Sequence, residues 1–272
     1  MKKSLLIFIL LFFTSSSLVA KEDTLSLSVA LVGMSMDYRE YKDNGVILDS
    51  EESNLNDIIG SEFILDYTRV YENDNYAQLG IEMLFLGGST QYVGSLINDA
   101  NCKTYGCHQS TTQNSISDLS AYYMYTHSIN DSLDIGYGLA LGHRSWERIL
   151  SASQVEVYYW YSVRPRVKLT YKLRALSIAA LAEYQYGINP KMSATGFSSD
   201  FKLGSANIAK LKIPLKYELN KKVHFFVEYV YEHQIIEKSN VQRLDSDSSK
   251  LFLEPDSTAN NQYAKIGVVF KF

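Results

Sequence analysis

The chain has few residues that interrupt extended structure and no long apolar run in its interior. Only 4 of its 272 residues are proline and 2 are tryptophan, against 21 tyrosines. That composition favours strands over helical or disordered structure. Beyond residue 20, no segment stays apolar for the roughly 20 residues that a membrane-spanning helix needs. The sequence therefore excludes a helical membrane protein.

A surplus of positive charge is also absent. Lysine and arginine number 26 against 30 acidic residues, which gives a net charge of -4. A leader that contains Lys2 and Lys3 and no acid would leave about -6 once removed. This balance argues against nucleic acid as a partner, and we expect no cofactor.

The first residues have the pattern of a secretory signal peptide. Lys2 and Lys3 precede the apolar run Leu5 to Phe13, and mostly small or polar residues follow up to Ala20. The run is too short to span a membrane as a helix. We predict a signal peptide at residues 1–20, cleaved near Ala20, and one mature domain at residues 21–272.

Apolar residues recur at every second position along most of the mature chain, which is the period of a strand with one apolar face. In Leu25 to Leu31, for example, leucine and valine alternate with serine and alanine. Short turn signals such as Asn130 to Ser132 alternate with long polar segments, as in transmembrane barrels. Pro165 falls on an apolar face, so we expect a bulge or bend there. The segments predicted as long loops are 37–57, 88–115, 187–206 and 237–260.

The last stretch, Gln262 to Phe272, is predicted to be a strand that ends on an aromatic residue. One face is apolar at every second position, and Lys265 and Gly267 lie on the other. The order of Lys265, Gly267, Phe270 and Phe272 resembles the polar, glycine, hydrophobic, hydrophobic signal that closes bacterial outer-membrane β-barrel proteins. The resemblance implies that the outer-membrane assembly machinery reads these residues during insertion.

The alternation and the resemblance together predict an all-β fold. We expect a closed antiparallel transmembrane β-barrel of about ten strands in the bacterial outer membrane, with both termini in the periplasm. The expected surroundings are outer-membrane lipid and lipopolysaccharide. Whether the protein binds an extracellular ligand stays an open question, because the sequence identifies none.

Charged residues alternate with the apolar ones on several strands, acids on the early strands and bases on the later ones. A barrel of about ten strands is only a little wider than one of eight, whose interior side chains nearly fill it. The charges should therefore pair and plug the lumen; the alternative is a narrow ion-selective channel. On the plug interpretation, replacing Arg164, Arg166 and Lys168 with serine gives a cation-selective leak. The predicted lumen charges are Glu62, Asp66, Glu82, Asp118, Asp134, Arg164, Arg166, Lys168, Lys210, Lys212 and Lys216.

The two cysteines, Cys102 and Cys107, lie in a predicted outer loop. In an exported protein they most simply form a disulfide. A metal site would need further cysteine or histidine ligands, and His108 is the one nearby.

A catalytic role would need a histidine grouped with carboxylates at the outer rim. His127 and Ser128 are adjacent rather than spaced, and they lie beside a predicted periplasmic turn. His233, next to Glu232, could meet Asp245 or Asp247. We expect no enzyme and favour a surface-interaction scaffold that acts through its extracellular loops. The alternatives are a narrow porin-like channel and, third, a surface protease or lipid-modifying hydrolase.

Overall fold

The computed structural model describes residues 20–95 and 101–272, and its regular elements are strands. About ten of them form a closed antiparallel ring, as the sequence predicted. Of the four short strands, β2 and β9 pair with strands of the same sheet, and β12 and β13 form a separate two-stranded sheet. Within the described ranges no helix is long and apolar enough to cross a membrane. In chain order the strands are β1 Ala20–Tyr41, β2 Ile47–Glu52, β3 Ile58–Tyr71, β4 Tyr76–Gly94, β5 His108–Asn130, β6 Leu133–Ser151, β7 Gln154–Leu173, β8 Leu176–Ala194, β9 Phe201–Lys202, β10 Ala206–Asn220, β11 Val223–Ile236, β12 Gln242–Leu244, β13 Asp247–Phe252 and β14 Asp256–Lys271.

The last strand closes the ring. β14 pairs with β11 on one side and with β1 on the other, from Ser26↔Lys271 to Tyr41↔Asp256. The amide of Phe272 adds a hydrogen bond to the carbonyl of Leu25 at 2.8 Å. Closure satisfies the backbone groups that an open sheet edge would leave unpaired. Residues 1–19, and with them nearly all of the predicted leader, lie outside the described residues.

The outer face of the ring carries an apolar band. Leu31, Leu141 and Ile266 are 69%, 56% and 62% exposed, as expected for side chains that contact lipid rather than water. The tight turns at 72–75, 131–132, 174–175 and 221–222 all lie at the end of the barrel where β1 begins and β14 ends. The longer connections lie at the opposite, outer end.

Between the apolar band and the outer end of the barrel, the alternation of apolar and polar side chains reverses. On β1 the inward Met34, Met36 and Tyr38 are buried, whereas the outward positions become Ser35 and Asp37. This part of the barrel, which we call the outer extension, is apolar inside and polar outside, like a barrel in water. Its strands therefore lack the lipid-facing alternation that marks the membrane band.

The inversion explains why four segments predicted as loops are partly strands. β1 continues to Tyr41, β4 to Gly94 and β8 to Ala194, and β14 already begins at Asp256. Residues 47–52 form β2, which pairs with β1 and β4. Hydrogen-bonded pairing between strands sets these boundaries, and the hydrophobic pattern alone does not reveal that pairing.

Pro165 interrupts the pairing of β7 with β8. The pairs run to Val163↔Tyr186 and resume at Arg166↔Glu183 without a change of register. The disturbance, where the sequence predicted a bulge or bend, is thus a gap in the ladder without the register shift of a bulge. The pairing of β7 with β6 continues through Leu139↔Pro165, so the missing N–H of the proline faces β8.

A hydrophobic cluster fills the outer extension. Tyr38, Trp146 and Tyr158 pack together, with ring centroids 5.1 Å apart for Tyr38–Trp146 and for Trp146–Tyr158. Trp160 and Tyr263 belong to the same cluster and are 1% and 2% exposed. The interior at this level is therefore packed with side chains.

Two loops cover the cluster from outside. Residues 195–205 and 237–255, which we call the outer lid, join through the backbone of Gly204 to Glu237 and Lys238 and of Asp245 to Gly196. Phe197 meets Phe201 and Phe252 edge to face, with centroids 4.9 and 5.5 Å apart. The lid is thus anchored by aromatic contacts on the core.

Candidate functional site

Inside the membrane band, Lys265 and Glu62 form the centre of one charge network. The Lys265 Nζ lies 2.7 Å from Glu62 and 2.8 Å from Glu228, and its side chain is 3% exposed. β14 supplies the lysine, β3 and β11 the acids. This lysine, predicted only as part of the assembly signal, bridges two strands next to the closing seam.

Arg166 holds a second network. Its guanidinium contacts Glu82 at 2.7 Å and Glu183 at 2.5 Å, while Lys212 approaches Glu82 at 3.5 Å. Glu183 is on the neighbouring strand β8, and Glu82 reaches from β4, three strands away. The contacts therefore cross the lumen as well as following the wall.

A third network lies near the outer limit of the band. Asp118 contacts Arg164 at 2.7 Å and Arg144 at 3.6 Å. Arg144 also forms a bidentate ion pair with Glu232, and the Lys210 ammonium group lies 3.0 Å from the same carboxylate. Each acid at this level thus faces two cations, which offsets much of the cost of burying it.

The charges nearest the periplasmic end are paired less fully. Asp134 contacts Lys172 at 2.7 Å and accepts a hydrogen bond from Ser128. The hydroxyl of Tyr122 donates to Asp66. Among the described residues, Lys168 and Lys216 form no ion pair, and both side chains are half-buried. All the predicted lumen charges thus lie on the inner face, and these two bases have no direct counter-ion.

The sequence-based set lacked Arg144 and Arg148. Both continue the even-numbered inward positions of β6 that begin at Asp134. Extending that period of two past the apolar band would have found them. Which acids they meet does not follow from this period, because partners such as Glu232, Glu51 and Glu40 are 88, 97 and 108 residues distant in the chain.

Arg148 is the single buried cation at the top of the barrel's interior among the described residues. It contacts Glu51 at 2.7 Å, Glu40 at 3.0 Å and Glu156 at 2.9 Å. Its guanidinium also lies over the ring of Tyr38, 4.5 Å from the centroid. We call these groups, with Asp49, Glu254 and Tyr158, the outer carboxylate cluster.

Glu254 enters this cluster from the outer lid. Its side chain is buried, and the Tyr158 hydroxyl donates to it. The Arg148 Nη1 in turn donates to the Tyr158 oxygen at 3.0 Å. Two hydrogen bonds hold the lid segment together: the Ser239 amide donates to the Glu254 carbonyl at 2.9 Å, and the Glu254 amide donates to the Ser239 hydroxyl at 2.8 Å. A buried polar contact therefore joins the lid to the barrel wall.

The cluster has more acids than cations, and their proton affinities differ accordingly. Burial and the charges of Glu40 and Glu156 raise the pKa of Glu254 well above its usual range. Burial also raises the pKa of Glu156, and burial together with Glu40 raises the pKa of Asp49 to about 6. Burial opposes ionisation of Glu51 too, but the charge of Arg148 and hydrogen bonds lower its pKa. One carboxylate is thus stabilised and three favour the neutral form.

Cys102 and Cys107 form a disulfide, as the sequence predicted. The bond closes a short turn at the outer end, where the Gly106 amide donates to the carbonyl of Gly94 at 3.1 Å. His108 lies beside Tyr92, with ring centroids 6.1 Å apart. Within the described residues, no group of three or more histidines, cysteines or acids is arranged to hold a metal ion.

Histidine and carboxylate do not form an ion pair anywhere in the described part of the chain. His233 contacts Asn260 at 2.8 Å, and His127 contacts Asn75 at 2.9 Å. His143 packs against Tyr161 on the outer face, with centroids 5.0 Å apart. His127 and His233 thus each contact an amide oxygen.

The proposed assembly residues occupy both faces of β14. Phe270 and Phe272 are exposed on the lipid side, whereas Lys265 and Gly267 point inward. A Cβ at Gly267 would lie 2.5 Å from the Val29 carbonyl and 2.6 Å from the Phe226 ring. Only glycine fits beneath that ring, which gives this position a packing role in the closed barrel.

A closed antiparallel ring with an apolar outer band defines the class: this is the fold of bacterial outer-membrane β-barrel proteins. The outer membrane protease OmpT of Escherichia coli is similar in structure, with a TM-score of 0.60 and 11% identity over 95% of this chain and 99% of that one. The translocator domain of the autotransporter NalP from Neisseria meningitidis has a TM-score of 0.47 and 11% identity over 99% of this chain and 96% of that one. No protein-family model and no curated protein matches the sequence.

Proposed function

We propose that this protein is a closed, non-conducting outer-membrane barrel whose lid and outer loops act as a surface-interaction scaffold. The filled outer extension carries the proposal. Side chains such as Trp146, Trp160 and Tyr158 are at most 1% exposed, and they lie above the charge networks of the membrane band. A solute would have to displace both layers to pass.

The apolar band indicates which partners surround the barrel in this role. Lipid and lipopolysaccharide surround the wall on this proposal, and the assembly machinery binds the last strand during insertion. Among the described residues, the parts exposed to the medium are the outer lid and the outer connections at 42–46, 53–57, 101–107 and 152–153. These segments are therefore the surfaces available to an extracellular ligand.

The channel alternative is tested by permeability. Liposomes that contain the purified barrel should not swell in isosmotic arabinose or sodium chloride. Swelling at a rate comparable to that of a general porin would replace the scaffold role with a channel.

The scaffold role is tested by exchanging the lid. A variant in which residues 238–253 become a short turn, on an otherwise unchanged barrel, should lose binding to arrayed glycans and extracellular-matrix proteins. Wild-type barrel that has been boiled serves as the control for nonspecific adsorption. Equal binding by both folded forms, or none by either, contradicts a lid-dependent interaction with these ligands.

No catalytic residue belongs to this proposed role. The similarity to OmpT is one of fold, and His127 and His233 contact amides rather than acids. Incubation of the reconstituted barrel with a fluorogenic peptide library is expected to yield no cleavage. Cleavage that is abolished by His233→Ala would instead establish the protease alternative.

A further inference from the structure

The outer carboxylate cluster contains more acidic groups than the buried cation beside it can neutralise. Asp49, Glu40, Glu51, Glu156 and Glu254 converge on a region whose buried cation, among the described residues, is Arg148. Burying unpaired carboxylates costs several kcal/mol each, so the closed arrangement requires protons on part of the set.

The acids reach the cluster from every element packed around it. β1 contributes Glu40 and Tyr38, β2 contributes Asp49 and Glu51, and β7 contributes Glu156 and Tyr158. Tyr92 of β4 lies beside Asp49. Because burial raises the pKa of Tyr92, its hydroxyl is neutral at ordinary pH. Burial likewise raises the pKa of Tyr38 and Tyr158. The groups whose charge can change are therefore the carboxyls with raised pKa values, Asp49, Glu156 and Glu254.

Glu254 is the member of the set that lies outside the wall strands and β2. Its neighbours Phe252 and Pro255 are half-buried, and β12 and β13 pair only with each other. The remaining acids belong to wall strands or to β2, which pairs with β1 and β4. Repulsion within the cluster can thus be relieved by withdrawing Glu254 with its loop.

We propose that the outer lid is a proton-controlled closure: with Glu254 protonated the lid is seated on the barrel, and ionisation of the outer carboxylate cluster releases it. Release uncovers the aromatic core around Trp146 and Tyr158.

The direction follows from proton linkage. An acid whose pKa is raised in the closed state binds its proton more tightly there than in the open state. The resulting stabilisation is complete below about pH 4, the ordinary carboxyl range, and it declines as the pH rises through the raised pKa values, which include that of Asp49 at about 6. Each unit of separation changes the ratio of open to closed lid about tenfold.

The test uses electron-spin distance measurements on full-length protein in lipid nanodiscs. Nitroxide labels are placed at Ser153, on the β6–β7 connection, and at Lys250, on the lid; both positions are exposed. We expect one narrow distance distribution at pH 5 and a second, broader one at pH 8, with the open fraction at least about tenfold larger. That minimum corresponds to a closed-state pKa one unit above the open-state value.

Glu254→Gln keeps the shape and the bond to Tyr158 but cannot ionise, so its distribution should stay narrow at pH 8. Glu237→Gln, an exposed glutamate of the same lid, is the matched control and should respond like wild type. Identical distributions at both pH values, or opening of Glu254→Gln at pH 8, would overturn the proposal. So would closure at pH 8 that is lost on adding EDTA, because a bound metal ion would then balance the carboxylates. Heat-modifiable mobility on gels confirms that each variant is folded.

Discussion

At the scale of single residues, Lys265 carries the clearest energetic role. Its ammonium group separates two buried acids at the seam where the barrel closes. Removing one partner of a buried ion pair typically costs about 3–5 kcal/mol, because the remaining charges stay buried. We expect Lys265→Met to lower the temperature at which the folded gel band converts to the unfolded band.

The controls distinguish charge loss from loss of the side chain. Lys271→Met, in the half-buried last residue of the same strand, should change the transition much less. Adding Glu62→Gln and Glu228→Gln to Lys265→Met should recover part of the stability. Equal effects of both single substitutions would show that the ion pairs contribute little.

The disulfide is expected to have a local effect. Cys102 and Cys107 are separated by 5 positions, and closing so short a loop contributes about 2 kcal/mol in the chain-entropy treatment. Replacing both cysteines with serine should leave the barrel inserted and heat-modifiable, with faster proteolysis at 101–107. Mass spectrometry of wild type should find no free thiol. Loss of membrane insertion in the double variant would show that the turn also guides folding.

Much of this residue-level arrangement could be predicted from the period of two. That period alone places Glu62, Arg166 and Lys212 on the inner face. It cannot give the partner across the lumen, because strand tilt and register decide that Arg166 meets Glu82 of β4. It also fails for Glu254, which lies outside any alternating segment.

At the scale of elements, the length of the strands was the main error. β1 has 22 residues and β5 has 23, more than the 9–11 or so that cross a bilayer. The excess lies in the outer extension, where the solvent changes from lipid to water and the apolar face turns inward. A search for a reversal of the alternation, as at Met34 to Tyr38, would have extended these strands.

Strand β8 is the weakest part of the wall. Pro165 interrupts its pairing with β7, and Pro214 interrupts its pairing with β10, where the pairs pass from Lys212↔Leu181 to Leu215↔Ile178. The β10–β11 pairing continues through Pro214↔Glu228. Both prolines therefore direct their missing donor at the same strand.

Restoring the donors should stabilise the barrel. An unsatisfied backbone group in hydrocarbon costs several kcal/mol, more than the stiffening of the unfolded chain, worth about 1 kcal/mol or less, that a proline supplies. We expect Pro165→Val and Pro214→Val each to raise the transition temperature on gels. Pro255→Val lies outside the wall ladders and should not raise it. No gain at either wall position would mean that other groups already satisfy the β8 carbonyls.

At the scale of the whole molecule, the interior is divided into layers. Ion pairs occupy the membrane band, the aromatic cluster fills the outer extension, and the outer carboxylate cluster lies beneath the lid. The sequence predicted the first layer. It did not predict the second, because tyrosines such as Tyr158 suit the interface belt of a barrel equally well. The layered interior changes what a lumen mutation should do.

Because the aromatic layer lies in series with the charges, neutralising one wall should not open the barrel by itself. The variant with serine at Arg164, Arg166 and Lys168 leaves Glu82 and Asp118 short of cations, yet a path must still pass the packed rings above them. In planar bilayers we expect no steady current from wild type and little from this triple variant.

Adding Trp146→Ala and Trp160→Ala to the triple variant should produce a steady, cation-selective current, because unpaired carboxylates would then line a hydrated path. The two tryptophan substitutions without the charge changes are the control and should conduct much less. If the triple variant alone conducts, the ion pairs are the sole barrier and the aromatic layer is permeable. A large, stable current from the unmodified barrel would contradict closure at every level and make transport its function.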